Sequence, residues 1–255
     1  MPGPVQSIER AAAILRMLAS SSGRLGVGEL ASSLGLARGT VHGILRTLVR
    51  VGFVEQDEAS GKYQLGAALL HLGTSYLDVN ELRSRAINWA DALAARSGEA
   101  VRIGTLLEGK VLVVHHVFRP DDSLQAMDIG TLLPLHASAL GKALLAHDAN
   151  AAASIRGTVL ESYCRRTVTD HRSLARALTR VREQGWAAEI EEMALGEASI
   201  AAPIRGYGGL VVGAIGVSGA VERLCGAGRV PEPALVGYVR DASRAVSRDL
   251  GASRW

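Results

Sequence analysis

A chain of 255 residues that is 48% apolar, 21% charged and only 4% aromatic can bury a sizeable core as one large domain or two small ones, which excludes a disordered tail and a peptide hormone. Cys164 and Cys225 lack CxxC spacing and cannot build a disulfide framework, and no apolar run approaches the ~20 residues of a membrane span, so a soluble cytoplasmic protein is expected. The net charge of +3 is too small to announce a nucleic-acid partner, yet residues 36–51 hold Arg38, His42, Arg46 and Arg50 and no acid.

The first helix is predicted from Ile8, Ala11, Ala12, Leu15 and Leu18 behind Ser7 as N-cap, and Ser21 to Gly23 end it. Val27–Leu34 makes a helix of two turns between Gly26 and Gly35, and Val41, Ile44, Leu45, Leu48 and Val49 pattern a third that Gly52 stops. Two short helices around a Gly turn form a helix-turn-helix. Residues 53–55 and 63–65 then read as a hairpin around Gly61, placed as a wing. From Gly66 to Leu77 the pattern is helical and apolar beyond the need of a free linker; its surplus face packs on a partner subunit or caps its own domain.

Beyond it, Asn80 caps a helix that Gly98 ends, and strands at 100–107 and 111–118 flank the Glu108-Gly109 turn. A strand is predicted at 124–129, and Ser138 opens a helix to about Ala146. Another helix runs from Thr169 or Asp170 to Gly185, with strands at 186–191, 198–204 and 210–218 and a last helix over 233–250. Hairpins with helices between them point to an α+β fold with an antiparallel sheet.

Burying Val41, Leu45 and Leu48 turns Gly39, Thr40, His42, Gly43, Arg46 and Arg50 outward on the third helix. Thr40 and His42 suit base edges, Arg46 a guanine O6/N7 pair, and Arg38, Arg50 and the wing residue Lys62 suit phosphates. Glycines at 39 and 43 cost about 1 kcal/mol each in a helix, which fits a backbone lying close to a groove wall; a solvated face of a small helical domain is the plainer alternative.

Enzyme motifs fail on spacing. Ser138 and Lys142 are four apart, not three; Gly216-Val217-Ser218-Gly219-Ala220 lacks the second Gly of a nucleophile elbow; Gly141-Lys142 lacks a Walker loop's upstream Gly; the glycines at 206 and 208 do not complete a dinucleotide fingerprint. His115 and His116 point to opposite faces of one strand, so no metal or cofactor is expected, and Glu191 and Glu192 read as a solvated edge.

The segments QSIERAAAILRMLA, ELASSLGLARGTVHGILRTLVRVGFVEQ, KYQLGAALLHLG, LPLHASALGKALLA and IEEMALGEASIAAPIRGYGGLVVGAIGVSG, in this order, resemble the IclR family of bacterial transcription regulators. The resemblance covers nearly the whole chain. GTVHGILRTL, SYLDVNELR and VVHHVFRPDDS are similar to members controlling glycerol operons. It implies a winged helix-turn-helix over 1–65, a connector helix over 66–80 and a GAF-like effector domain over 81–255, in a homodimer or tetramer on double-stranded operator DNA. The implied function is regulation, as a repressor, of a carbon-catabolic operon. Carried over residue by residue, the effector pocket is Leu133 at a wall, backbone N–H groups of Ala139 and Leu140, the acid Glu189, and Ser199, Gly216 and Ser218.

Chemistry adds to this. Unpaired N–H groups at the start of the Ser138 helix suit an anion, while Glu189 would repel one but accept hydrogen bonds from hydroxyls. A molecule anionic at one end and hydroxylated at the other fits both, and glycerol 3-phosphate, which the resemblance implies, has that polarity; another small carboxylate or aromatic acid is the alternative. His136 and Arg119 are further phosphate candidates.

Overall fold

The computed structural model describes residues 5–21, 23–69, 81–121 and 125–252, and the chain divides into two compact units, Met1–Val79 and Asn80–Trp255. In the first, α1 (Gln6–Ser20), α2 (Val27–Leu34) and α3 (Arg38–Arg50) surround a core of Ile14, Leu18, Leu30, Val41, Leu45, Leu48, Val54 and Tyr63. Gly35, at φ +63, lets the chain leave α2 in the left-handed conformation that a side chain resists, so α3 can start three residues later. The hairpin of β1 (Val54–Gln56) and β2 (Tyr63–Leu65) pairs Val54 with Leu65, and the Asp57 carboxylate closes its tip on the Ser60 N–H at 2.8 Å.

Ser7 is not the cap of α1. The Val5 carbonyl already accepts the Ile8 and Glu9 N–H groups, so the helix begins at Gln6 and Ser7 lies within its first turn. Residues 67–69 are helical; the rest of the expected connector, 70–80, and the expected Asn80 cap lie outside the described residues.

The second unit is built on a six-stranded antiparallel sheet of order β5-β4-β3-β8-β7-β6, from β3 (Ala100–Leu107), β4 (Lys110–Val117), β5 (Leu132–Pro134), β6 (Ala187–Ile190), β7 (Glu197–Arg205) and β8 (Val211–Ala220). One group of helices on it is α4 (Glu81–Ser97) and α9 (Pro233–Asp249), where Ser243 Oγ donates to the Pro203 carbonyl at 2.6 Å and the Arg205 N–H donates to Ser247 Oγ at 2.9 Å. Another is α5 (Ala139–His147), which packs on β6, β7 and β8 and carries α7 (His171–Gln184). Asp170 caps α7 on the Ser173 N–H at 2.8 Å and Gly185, at φ +78, ends it.

The expected strand at 124–129 is absent over 125–129. There the Gln125 carboxamide accepts from the Arg119 N–H and donates to the Arg119 carbonyl, and the Asp128 N–H donates to His116 Nδ1, so side chains use what a ladder would need. The edge beside β4 goes instead to β5, with Val111 opposite Leu133. Two short helices, α6 (Ala149–Ser154) and α8 (Val221–Leu224), had no period long enough to be read.

His147, the last residue of α5, is half-buried between Arg205, which donates to its Nδ1 at 3.4 Å, and Arg182. Burial first, then these two cations, push its pKa from 6.5 down to about 4. The unfolded chain therefore takes up this proton first, and stability falls as pH drops from 6.5 towards 4. A thermal series over that interval should show a smaller loss for His147→Gln than for wild type; equal losses would remove His147 from the acid response.

Candidate functional site

On α3, Val41 and Leu45 are fully buried, while Arg38, Gly39, His42, Arg46 and Arg50 are exposed and Thr40 and Gly43 half-buried. The stripe 39, 43, 46, 50 is smooth at its start and cationic at its end. A Cβ built at Gly39 or Gly43 meets nothing within 4 Å, so packing inside this unit does not ask for glycine at either place. Lys62, exposed in the wing, has its ammonium 3.5 Å from the Glu29 carboxylate of α2, a surface pair with which a phosphate would compete.

The second site begins with strand register. Glu189, Ser199 and Ser218 are successive partners across β6, β7 and β8, and two residues along each strand Ala187, Ala201 and Gly216 form the next row, which Arg102 on β3 and His116 on β4 continue. A period of two puts all of these on one face. Over it sits the start of α5, seated closely because residue 141 is glycine: a Cβ there would lie 2.3 Å from the Leu135 carbonyl oxygen. Ser138 Oγ caps the helix by accepting the Gly141 N–H at 3.1 Å, leaving the Ala139 and Leu140 N–H groups without intrahelical acceptors.

Between face and helix is a cavity of about 170 Å³, and all of Leu133, Ala139, Leu140, Glu189, Ser199, Gly216 and Ser218 line it. Arg102, Asp128, Met193 and Glu197 line it too and were not anticipated. Arg102 was discernible in part, since apolar Val101 and Ile103 on either side place it on the opposite sheet face. Its partner was not: Arg102 Nε donates to Asp128 at 2.6 Å across 26 positions of sequence.

Glu189 is buried, 3% exposed, and its oxygens are already engaged. Oε1 accepts the Glu192 and Met193 N–H groups at 2.9 and 3.2 Å, and Oε2 accepts Ser199 Oγ–H at 2.9 Å. Burial pushes its pKa above the usual glutamate value, against the pull of those three donors. Because Ser199 spends its hydrogen on Glu189, it turns lone pairs to the cavity.

The expected solvated edge at Glu191 and Glu192 is overturned. Glu191, at φ +56 and 8% exposed, pairs with Arg229 and Arg166, and Glu192 pairs with the buried Lys142 of α5, whose ammonium also donates to the Ala188 carbonyl at 3.1 Å. These carboxylates hold the β6–β7 turn that carries Met193 to the cavity. Ser138 Oγ donates to the Pro134 carbonyl and Lys142 is consumed by Glu192, so no nucleophile and base are brought together here. His136 Nε2 bonds the Glu161 carbonyl at 2.8 Å and Arg119 pairs with Asp121; neither lines this cavity. Among the described residues no cluster of His, Cys, Asp or Glu is fit to hold a metal, and no helix is long and apolar enough to cross a membrane.

The IclR helix-turn-helix domain matches residues 7–58, and the domain described as bacterial transcriptional regulator IclR C-terminal matches residues 74–248. The chain is 56% identical to the glycerol operon regulatory protein of Streptomyces coelicolor and 53% identical to that of Streptomyces griseus, in each case over 98% of both chains. Among solved structures, the IclR transcriptional regulator of Alicyclobacillus acidocaldarius superposes with a TM-score of 0.84 at 26% identity, covering 98% of this chain and all of that one. The two Streptomyces relatives are named as operon regulatory proteins, not as enzymes.

Proposed function

The chain belongs to the IclR family of bacterial transcription regulators, and from that membership we propose that it represses a glycerol-utilisation operon as a homodimer or tetramer, with operator affinity set by a small hydroxylated anion such as glycerol 3-phosphate. The observation that carries the effector reading is the polarity of the 170 Å³ cavity. Its α5 end offers the N–H groups of Ala139 and Leu140, about half a positive charge, to an anion. Its sheet end offers Ser199 lone pairs, Ser218 and the Glu189 carboxylate, which suit ligand hydroxyls and oppose a second negative group. The names of the Streptomyces relatives support the operon.

In this reading α3 lies in a major groove with Thr40, His42 and Arg46 on base edges, Arg38, Arg50 and Lys62 on phosphates and Gly39 and Gly43 at the close approach. The effector acts by binding one arrangement of the DNA-binding units better than another, the connector over 66–80 carrying the choice, and a coupling of about 1 to 3 kcal/mol gives a 5- to 150-fold change in operator affinity.

Thermal unfolding with a metabolite panel tests it. Glycerol 3-phosphate at about 100 times its dissociation constant is expected to stabilise the native state by about 2.7 kcal/mol and to release a DNA fragment from upstream of the protein's own gene or a glycerol-utilisation operon. A midpoint that ignores it but rises with pyruvate or glyoxylate moves the reading to a carboxylate effector.

A further inference from the structure

Beyond the Arg102–Asp128 pair lies a second hollow of about 300 Å³, bordered by His116, Arg119, Gln125 and Gly219 and sharing Arg102, Asp128, Glu197 and Ser218 with the effector cavity. His116 is 7% exposed. Its Nδ1 accepts the Asp128 N–H at 3.2 Å, which requires that the ring proton sit on Nε2. Burial and the neighbouring Arg102 depress its pKa against the pull of Asp128, so the ring stays neutral and this tautomer persists. Nε2 itself has no hydrogen-bond partner among the described residues. A buried N–H left unpaired costs about 1 to 3 kcal/mol, which a ligand acceptor would relieve.

The chemistry of the hollow selects what would meet that donor. Of the two arginines that border it, Arg102 is paired with Asp128 and Arg119 with Asp121, and Glu197 adds a further carboxylate, so both cations are already matched and a second anion would meet excess negative charge. An apolar group would leave the His116 N–H orphaned. A hydroxyl fits both demands, accepting from Nε2–H while donating to a carboxylate oxygen.

We propose that this hollow is a hydroxyl-recognition subsite continuous with the effector cavity, in which His116 Nε2–H donates to a ligand hydroxyl whose own hydrogen goes to Asp128 or Glu197. It rests on the reading of the first cavity as the effector site, and it makes His116 and Arg102 determinants of specificity for a polyol over an acid lacking hydroxyls. A site built to bond a hydroxyl rejects analogues that lack it far more strongly than an apolar wall does.

Long-range proton–nitrogen NMR of the histidine rings in the full chain tests it, with His116 assigned by the signal missing from His116→Phe or, should that variant not fold, from His116→Gln. Free protein is expected to show the Nε2-protonated pattern, glycerol and glycerol 3-phosphate each to shift it, and inorganic phosphate to leave it in place. His116→Phe is expected to weaken glycerol 3-phosphate binding about tenfold, with phosphate binding unchanged. A His116 signal indifferent to both polyols, or moved by phosphate alone, overturns the subsite even if glycerol 3-phosphate raises the thermal midpoint. If glycerol shifts the signal while glycerol 3-phosphate neither shifts it nor raises the midpoint, the subsite stands and the proposed effector falls.

Discussion

Arg46→Ala is expected to weaken operator binding by about 1 to 3 kcal/mol and to blur the base preference at one position, whereas Arg50→Ala should weaken every duplex alike and lower the salt slope by about one. Both side chains are exposed on α3, on the stripe that begins at Gly39 and Gly43. The difference lies in their place along α3: Arg46 follows Gly43 by one turn on the smooth stretch that can enter the groove, whereas Arg50 ends the helix, where the chain leaves the groove and meets the backbone. Glycine supports the assignment from the other side. A methyl group at 39 or 43 would find open space within the fold and would favour the helix by about 1 kcal/mol, so the cause of its absence is sought outside the fold, in a surface that must come near. Gel shifts in which both variants match wild type on operator and on unrelated DNA would remove α3 from the groove.

What could be read in the sequence was what is written locally. Gly35, Gly98 and Gly185 sit where positive φ ends a helix, Asp170 caps the one that follows it, and the apolar spacing of Val41, Leu45 and Leu48 assigned the faces of α3 without a coordinate. The strand pattern likewise placed β3, β7 and β8 nearly to the residue. Composition of the cavity wall was different: its seven expected residues came from family resemblance, and they converge because register aligns Glu189, Ser199 and Ser218 across three strands, a relation that period-two reading of each strand alone does not contain. Arg102 with Asp128, and Lys142 with Glu192, are pairs separated by 26 and 50 positions, and only the closed sheet brings them together. The error at 124–129 has the same root. A segment with strand-like residues lost its edge to β5 because Gln125 and Asp128 bind Arg119 and His116 instead.

Replacing Glu189 separates its structural and recognition roles. Glu189→Ala leaves the Glu192 and Met193 N–H groups and the Ser199 hydroxyl without their acceptor, and at about 1 to 3 kcal/mol for each buried donor, offset in part by relief of a buried carboxylate and by water entering the cavity, a net loss of about 2 to 3 kcal/mol is expected. Glu189→Gln behaves otherwise. Its amide oxygen can accept the same two N–H groups, and its amide nitrogen donates to Ser199 Oγ, reversing the direction of that bond. Ser199 then turns a hydrogen, not lone pairs, towards the cavity, and the negative charge is gone. Stability should stay within about 1 kcal/mol of wild type, while ligands that only accept, such as pyruvate, gain about tenfold relative to glycerol 3-phosphate. Calorimetry on the two variants decides it: a selectivity ratio unchanged in Glu189→Gln, together with an Ala variant as stable as wild type, would mean that this carboxylate neither holds the β6–β7 turn nor sets the polarity of the wall.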